Sequence, residues 1–484
     1  MMIRRATTLS WLLMLLAYCP LITALDEPSV DELAPHIATL LKGWDQPDTP
    51  GCSIAVVKDG TIIYSGGFGM ANLDHSIPNA ADTVFRIASV SKHITASCML
   101  LLEDEGVLTL DSDIRKWLPE IPEYDETITI RHLLHHTSGL RDYTSLMRLL
   151  EIGDEDLLTG QQTIDLIARQ KGLNFSPGEK HSYCNSGYFL LSVICERVSG
   201  KTLRQYADEK IFSPLEMTSS HYHDNHLEVT PKRATGYAPI GEGKYRIHET
   251  VLDHVGDGGV FTTVEDLATW TTALGEGRLG ANLLQRLQQK FTLKDGEVLD
   301  YCLGVVDTSF RGQRMLQHGG GWVGFRTSLA AFPEQGIVII CLGNCSAFNP
   351  GRVSRQIAAL VVEGLVPAHL QRPDRASDRR DRDDSSTATP EDAKQWDHRQ
   401  VLGRYHSSEL DREWSIIQSS GPDVALVGFE GEPLAIAVTG DDLLAVDWWL
   451  KMHLLRDEEG AVTGFTIDSG GMSGILFQRI AEKN

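Results

Sequence analysis

Two apolar runs set far apart in the chain restrict its fold more than any other feature. The first, Ser53 to Gly67, reads S-I-A-V-V-K-D-G-T-I-I-Y-S-G-G, two β-rich segments joined at Asp59-Gly60. An Asp-Gly pair between such segments predicts a tight hairpin. The second comprises Arg326 to Phe332 and Gly336 to Leu342, two further strand patterns around the turn Pro333-Glu334-Gln335-Gly336. Between the two runs the pattern is mostly helical, with candidates at Leu108 to Trp117, Ile130 to His136, Thr163 to Gln170, Tyr188 to Val198 and Val264 to Leu274. Amphipathic helices at Ser29 to Trp44 and Val353 to Leu365 flank the strands. Strands from both ends bracketing a helical middle predict an antiparallel sheet with a helical subdomain beside it.

With 484 residues and 42% hydrophobic content, the chain can build two or three domains. Its beginning reads as a secretory signal: Arg4 and Arg5, an apolar run from Trp11 to Ala17, and the small-residue site Ile22-Thr23-Ala24. The run is too short to cross a bilayer, so the expectation is an exported periplasmic or secreted protein with no stable membrane insertion after cleavage. Lipid attachment at Cys19 ranks below cleavage, because Tyr18 stands where a small residue is wanted. The remaining cysteines, Cys52, Cys98, Cys184, Cys195, Cys302, Cys341 and Cys345, are odd in number and lack metal-like spacing, and read as small buried hydrophobes. A net charge of −22 argues against nucleic acid and anionic membrane surfaces as partners.

From Gln371 the composition changes to R-P-D-R-A-S-D-R-R-D-R-D-D-S-S, charged and poor in apolar residues, which predicts a linker over 371–397. Beyond it, short apolar runs recur between turn residues: Trp414 to Ile417, Val424 to Val427, Leu434 to Val438, Leu443 to Trp449, Met452 to Leu455, Val462 to Ile467 and Gly474 to Phe477. That spacing predicts a small antiparallel barrel over 398–484. The pair Trp448-Trp449 reads as barrel core rather than a ligand platform.

Chemistry concentrates in three short stretches. In V-F-R-I-A-S-V-S-K, Ser89 and Lys92 stand three positions apart at the start of a helical pattern carried by Val90, Ile94, Cys98, Leu101 and Leu102. Residues i and i+3 share a helix face, so hydroxyl and amine meet, and an amine can take the proton from an otherwise poor nucleophile. The helix N-terminus also offers unpaired N–H groups to an oxyanion. In the second stretch, Tyr183-Cys184-Asn185, a phenol suits a general base and an amide suits the orientation of a lysine and a carbonyl. In the third, His318-Gly319-Gly320-Gly321-Trp322, glycines admit a substrate backbone, and the Gly321 N–H can join that of Ser89 in an oxyanion hole. A second H-x-G, His254-Val255-Gly256, has no strand pattern after it and reads as a loop.

Taken with F-R-I-A-S-V-S-K at Phe85 to Lys92, L-L-H-H-T-S-G-L at Leu133 to Leu140, F-S-P-G-E at Phe175 to Glu179, I-F-S-P-L-E-M at Ile211 to Met217 and G-G-V-F-T-T-V-E-D-L at Gly258 to Leu267, these stretches follow a family's order. The chain from about Ser29 to Val366 resembles the serine penicillin-recognising group, which includes class C β-lactamases, D,D-peptidases, D-aminopeptidases and related esterases. The resemblance implies an α+β fold: a β-lactamase/D,D-peptidase-like antiparallel sheet with flanking helices and a helical subdomain, followed by a small all-β, lipocalin-like C-terminal barrel. The implied organisation is a signal peptide over 1–24, a hydrolase domain over 25–370, the linker and the barrel. Leu402 to Asp411 resembles the first strand of the barrel appended to the D-aminopeptidase branch.

The implied activity is hydrolysis through an acyl-enzyme. Ser89 is the nucleophile, Lys92 and Tyr183 move the proton, Asn185 orients, and His318 steers the substrate. Ser89, Gly320, Gly321 and Trp322 bind the substrate and its oxyanion. No metal or organic cofactor is called for. His135 and His136 fall where the family has structural residues, and Asp257 and Asp266 read as turn and helix-entry residues. The penicillin-hydrolysing members carry Lys where His318 stands. A histidine is mostly neutral at pH 7 and supplies no fixed charge to a β-lactam carboxylate. The expected substrate order is therefore a peptide or amide bearing a D-residue, then a carboxylic ester, then a β-lactam. A penicillin-binding or peptidoglycan-sensing module that deacylates slowly is the alternative. The barrel is a candidate contact surface for a homo-oligomer.

Overall fold

The structure is a computed structural model and describes residues 30–362, 397–419, 424–440, 442–446 and 449–481. The expected signal segment, almost all of the charged linker, and Trp448 lie outside the described residues.

In chain order the first domain begins with helix α1 (Val30–Leu41) and strands β1 (Cys52–Lys58) and β2 (Thr61–Phe68), with the short ribbon β3 (Met70–Asn72) and β4 (Ile77–Pro78). Strand β5 (Phe85–Arg86) leads into α2 (Lys92–Asp104), followed by α3 (Ile130–Leu134), α4 (Tyr143–Leu149), α5 (Gly160–Ala168), α6 (Asn185–Ser199) and α7 (Leu203–Ala207). Then come β6 (His221–Tyr222), the ribbon β7 (Tyr237–Gly241) and β8 (Lys244–Ile247), β9 (Val260–Thr262), α8 (Val264–Glu276) and α9 (Leu283–Leu287). Strands β10 (Val306–Phe310), β11 (Gln313–Trp322), β12 (Phe325–Phe332) and β13 (Ile337–Gly343) and helix α10 (Pro350–Val361) complete it.

The early hairpin and the late strands form one antiparallel sheet in the order β10-β11-β12-β13-β1-β2. Strand β1 joins the two ends of the domain by pairing with β13, Val56 opposite Ile339. The central strands are apolar throughout because both faces are covered. Cys52, Ile54 and Val56 point into one core with Ile37 of α1 and Ile357 of α10. Ala55 and Val57 point into the other, with Leu267 and Trp270 of α8. Asp59 and Gly60 both take positive φ, 47° and 79°, as a primed hairpin turn requires.

The second core surrounds α2, whose residues are buried on every side from Lys92 to Leu100. A helix buried all round belongs in the middle of its domain, and α6 packs beside it through Leu190, Leu191 and Ile194.

The structure corrects two expectations. Leu108 to Trp117 is not a helix. Only Ile114–Lys116 makes a 3₁₀ turn, capped by Asp113, while the preceding segment is held by Glu103 accepting from the Leu110 N–H at 2.8 Å. Leu108, Leu110, Ile114 and Leu118 are all buried, so helix-like spacing arose from a loop that drapes its apolar side chains over a core. His318 to Trp322 lie within β11, and the expected strand follows them as β12 from Phe325. A short strand, β9, does follow His254-Val255-Gly256, although those three residues are a loop as expected.

Eight strands between Gly403 and Arg479 close into an antiparallel barrel, as the recurring apolar runs predict. The barrel sits on the hydrolase domain: Leu146 and Leu149 of α4 and Leu166 of α5 share a core with Trp414, Phe465 and Phe477. At this junction Arg141 and Glu409 form an ion pair with both side chains almost fully buried. Arg141 also donates to the Ser473 carbonyl at 3.0 Å, and Glu409 accepts the Lys171 N–H at 3.0 Å and the Leu476 N–H at 3.3 Å. Among the described residues no helix is long and apolar enough to cross a membrane. The seven cysteines from Cys52 to Cys345 are buried and unpaired.

Removing one member of a buried ion pair leaves the other charge without compensation, at a cost of about 3–5 kcal/mol. Glu409→Ala is therefore expected to lower the melting temperature and to split barrel melting from that of the hydrolase domain in calorimetry. A single unchanged transition would show that the pair contributes nothing to docking.

Candidate active site

Ser89 lies in the 3₁₀ turn Ala88–Ser91 that runs directly into α2. Ala88, the residue before it, has φ of +49°, a strained conformation for a residue with a Cβ. Neighbouring elements hold this turn in place. The Ile87 N–H donates to the Val260 carbonyl at 2.9 Å, the Val260 N–H donates to Ser91 Oγ at 3.0 Å, and the Thr327 hydroxyl donates to the Ile87 carbonyl at 2.8 Å.

Lys92 is wholly buried. Its Nζ lies 3.2 Å from Ser89 Oγ, 2.9 Å from Asn185 Oδ1 and 2.5 Å from the Asp257 carbonyl. The faces of Tyr183 and Tyr188 cover it with ring centroids at 4.9 and 5.4 Å. Tyr183 thus meets the amine through its π-face, and at 38% exposure its phenol edge opens to the cleft. Asn185 is fixed from behind, because its N–H donates to Asp142 Oδ2 at 2.5 Å. The other Asp142 oxygen caps α4, accepting from the Thr144 and Ser145 N–H groups at 3.0 and 3.1 Å.

The cleft in front of Ser89 is a cavity of about 180 Å³ lined by Arg86, Tyr143, Tyr183, Asn185, Asp257 and Trp322 among others. Gly321 and Trp322 line it. Gly320 does not line it. A Cβ at Gly320 would stand 2.2 Å from Thr327 Oγ1 and 2.3 Å from the Ile87 carbonyl, so this glycine exists to let β11 close on the serine turn.

His318 likewise does not line the cleft. It is 7% exposed, with Nδ1 2.6 Å from the Gly319 carbonyl and Nε2 3.3 Å from the Tyr301 hydroxyl. Tyr301 in turn lies 3.0 Å from His136 Nε2, while His136 Nδ1 accepts the Cys184 N–H at 3.1 Å. That last bond sets the His136 tautomer: Nδ1 accepts, so Nε2–H donates to the Tyr301 hydroxyl. Burial, with Lys92 nearby, pushes His136 well below the ordinary histidine range, so its ring is neutral. Its ring packs tilted against that of Tyr183, with centroids 4.2 Å apart. His136 therefore packs and hydrogen-bonds, as expected, and so does His135, held between the Arg131 and Gln289 carbonyls at 3.0 and 3.1 Å.

Sequence reasoning missed Arg86, Tyr143, Asp257 and Tyr301. Asp257, read as a turn residue, gives its carbonyl to Lys92 and its carboxylate to the Tyr143 hydroxyl at 2.9 Å. Burial raises the Asp257 carboxyl above the ordinary range, opposed by Lys92 and the Tyr143 bond. Arg86 donates to the Gly258 carbonyl at 3.2 Å, and burial lowers it, opposed by Asp257. Phe85-Arg86 opens the F-R-I-A-S-V-S-K stretch, and Asp257 directly precedes the G-G-V-F-T-T-V-E-D-L stretch that begins at Gly258. Nothing in their spacing said that they meet.

Outside the cleft, His221, His223 and Glu228 bring three possible metal-ligand atoms within 4.8 Å of one another. Glu228 takes two bonds from Arg204 at 2.5 and 2.8 Å, and His221 Nε2 and His223 Nδ1 lie 3.1 Å apart in a hydrogen bond, while His223 Nε2 has no hydrogen-bond partner.

A serine hydroxyl bound to a buried lysine amine on this sheet and helix arrangement belongs to the serine hydrolases. Residues 36–363, more than half of the chain, match the family described as Beta-lactamase, and the protein belongs to that family. Among curated relatives, Penicillin-binding protein 4* of Bacillus subtilis is 29% identical over 330 residues, covering 64% of this chain and 71% of its own. A D-aminopeptidase of Brucella anthropi is 26% identical over 528 residues, covering 94% of this chain and 99% of its own. The octameric penicillin-binding protein homologue from Pyrococcus abyssi shares the fold with a TM-score of 0.61 at 22% identity, over 92% of this chain and 99% of that one.

Gly320→Ala is expected to destabilise the protein by about 1–3 kcal/mol, since the new methyl group meets backbone that cannot move cheaply. Chemical denaturation measures the loss, and labelling of Ser89 should slow in parallel. Tyr301→Phe removes the hydroxyl that the buried His136 N–H meets, and should cost about 1–3 kcal/mol in the same assay.

Proposed function

We propose that the protein is an exported hydrolase that cleaves small peptides or amides carrying a D-residue through a Ser89 acyl-enzyme. The observation that carries this reading is the coordination of Lys92. As an ammonium, Nζ has three protons for three oxygens: Ser89 Oγ, Asn185 Oδ1 and the Asp257 carbonyl. As a neutral amine it keeps two donors for the two carbonyl oxygens and turns its lone pair to the Ser89 O–H. Either protonation state is fully bonded, so the proton can pass between Ser89 and Lys92 without leaving a buried polar atom orphaned.

In the first step Ser89 Oγ bonds to the substrate carbonyl carbon, its proton passes to Lys92, and the carbonyl π-electrons move to oxygen. The N–H groups of Ser89, in the first turn of a helical stretch, and of Gly321 receive the oxyanion. Collapse expels the amine, which takes a proton from the Lys92–Tyr183 pair. Water then attacks the ester by the same route, returning the proton to Ser89. Asn185 orients the amine and the substrate carbonyl, Trp322 forms a wall, and His318 acts through Tyr301 and His136 on the placement of Tyr183.

Three features support the substrate class. The cleft of about 180 Å³ suits a short acyl group. The relative matching nearly the whole chain, barrel included, is a D-aminopeptidase. No lysine occupies position 318 to meet a β-lactam carboxylate.

Turnover of D-alanine p-nitroanilide, its L-isomer and p-nitrophenyl acetate tests the reading. The D-anilide should exceed the L-anilide by at least about tenfold in kcat/KM, and Ser89→Ala should abolish turnover by on the order of 10³-fold or more. Faster ester turnover with no anilide cleavage would make it an esterase, and stoichiometric acylation without turnover would make it a penicillin-binding module.

A further inference from the structure

The cleft at Ser89 is one of several cavities among the described residues. A second one, of about 440 Å³, lies against the sheet between α8, α9 and the ends of β1, β12 and β13. Its walls are formed by Leu274, Leu284, Leu287, Leu316, Leu329 and Val338, among others. It shares no lining residue with the Ser89 cleft.

Its inner wall includes two side chains with unmet hydrogen-bonding capacity. Trp270 is 0% exposed and His93 is 3% exposed, and their rings lie 5.7 Å apart. Neither Trp270 Nε1 nor either nitrogen of His93 has a hydrogen-bond partner. The Val90 carbonyl faces the His93 ring from the preceding turn without meeting hydrogen-bond geometry. Leaving a buried donor or acceptor unpaired costs about 1–3 kcal/mol, so two donors and one acceptor without partners beside one apolar space are a standing penalty that a bound polar group would reduce.

The chemistry of the wall restricts the occupant. Burial lowers His93 to about 4, so its imidazole is neutral, offering one donor and one acceptor, while an indole offers a donor alone. No lysine or arginine lines the cavity to receive a carboxylate, and its two acidic residues, Asp59 and Glu276, have exposed side chains. An ion taken to the inner wall would be desolvated without compensation.

We infer that this cavity is a binding site for a small neutral molecule with an apolar body and one hydroxyl or amide group, its polar end seated between Trp270 Nε1 and His93. The hydroxyl oxygen accepts from the indole N–H and its proton turns to the imidazole, while the body fills the leucine-lined space. His93 directly follows Lys92 in α2, so the site lies behind the helix that carries the amine. The inference does not depend on the substrate of Ser89.

Isothermal titration with 4-propylphenol and with propylbenzene, on the protein lacking residues 1–24, tests it. The phenol should bind once per chain with Kd on the order of 10⁻⁴ M, in line with the affinity available to a ligand of its size. Ala331→Trp, which fills the cavity from β12, should abolish binding. Trp270→Phe keeps the wall apolar but removes the donor. It should weaken the phenol about 5–10-fold, the worth of one hydrogen bond, and leave propylbenzene unchanged. Fluorophosphonate labelling of Ser89 at the wild-type rate confirms that each variant is folded. Absence of binding to the wild type at millimolar concentration, an unchanged Kd in Ala331→Trp, or equal effects of Trp270→Phe on both compounds overturns the inference.

Discussion

A single buried amine organises this protein. Lys92 has no access to water, and burying a cation is costly unless oxygens surround it. The three oxygens that do so come from Ser89, from Asn185 at the start of α6 and from Asp257 in the loop before β9. Each lies on a different stretch of chain, so the pocket for the amine exists only when the helical subdomain and the sheet side of the domain are both assembled. The strained Ala88 turn, the glycine that lets β11 close and the Thr327 bond to Ile87 keep Ser89 at the remaining corner.

The barrel reaches the same centre through α4. Asp142 caps that helix with one oxygen and holds the Asn185 N–H with the other, and Tyr143 in its first turn bonds Asp257. Leu146 and Leu149 on the same helix enter the barrel core, and the adjacent Arg141 pairs with Glu409. One seven-residue helix therefore carries active-site contacts at its start and barrel packing along its length.

Much of this was legible in the sequence, for physical reasons that differ by element. The hairpin at Asp59-Gly60 and the strand β13 declared themselves because turn chemistry and strand apolarity are local. The barrel did so because its short runs recur. Ser89 and Lys92 were legible because a helical i, i+3 pair fixes its own geometry. Asn185 was read as holding the lysine, which it does. What could not be read was direction. His318 sits in the expected motif, yet its ring turns to Tyr301, a partner reached only through the fold. Gly320 reads as room for a substrate and serves as room for the Ile87 carbonyl. The Leu108 to Trp117 segment imitated a helix because a loop laid over a core can bury residues at helical spacing.

The central claim is that Lys92 activates Ser89, and intact-mass analysis after exposure to a fluorophosphonate addresses it most directly. On the wild type lacking residues 1–24 the account predicts one adduct, located at Ser89 by peptide mapping, and none on a folded Lys92→Met variant over the same time. Equal labelling of Ser89 in Lys92→Met, or labelling of the wild type at another residue, would contradict it.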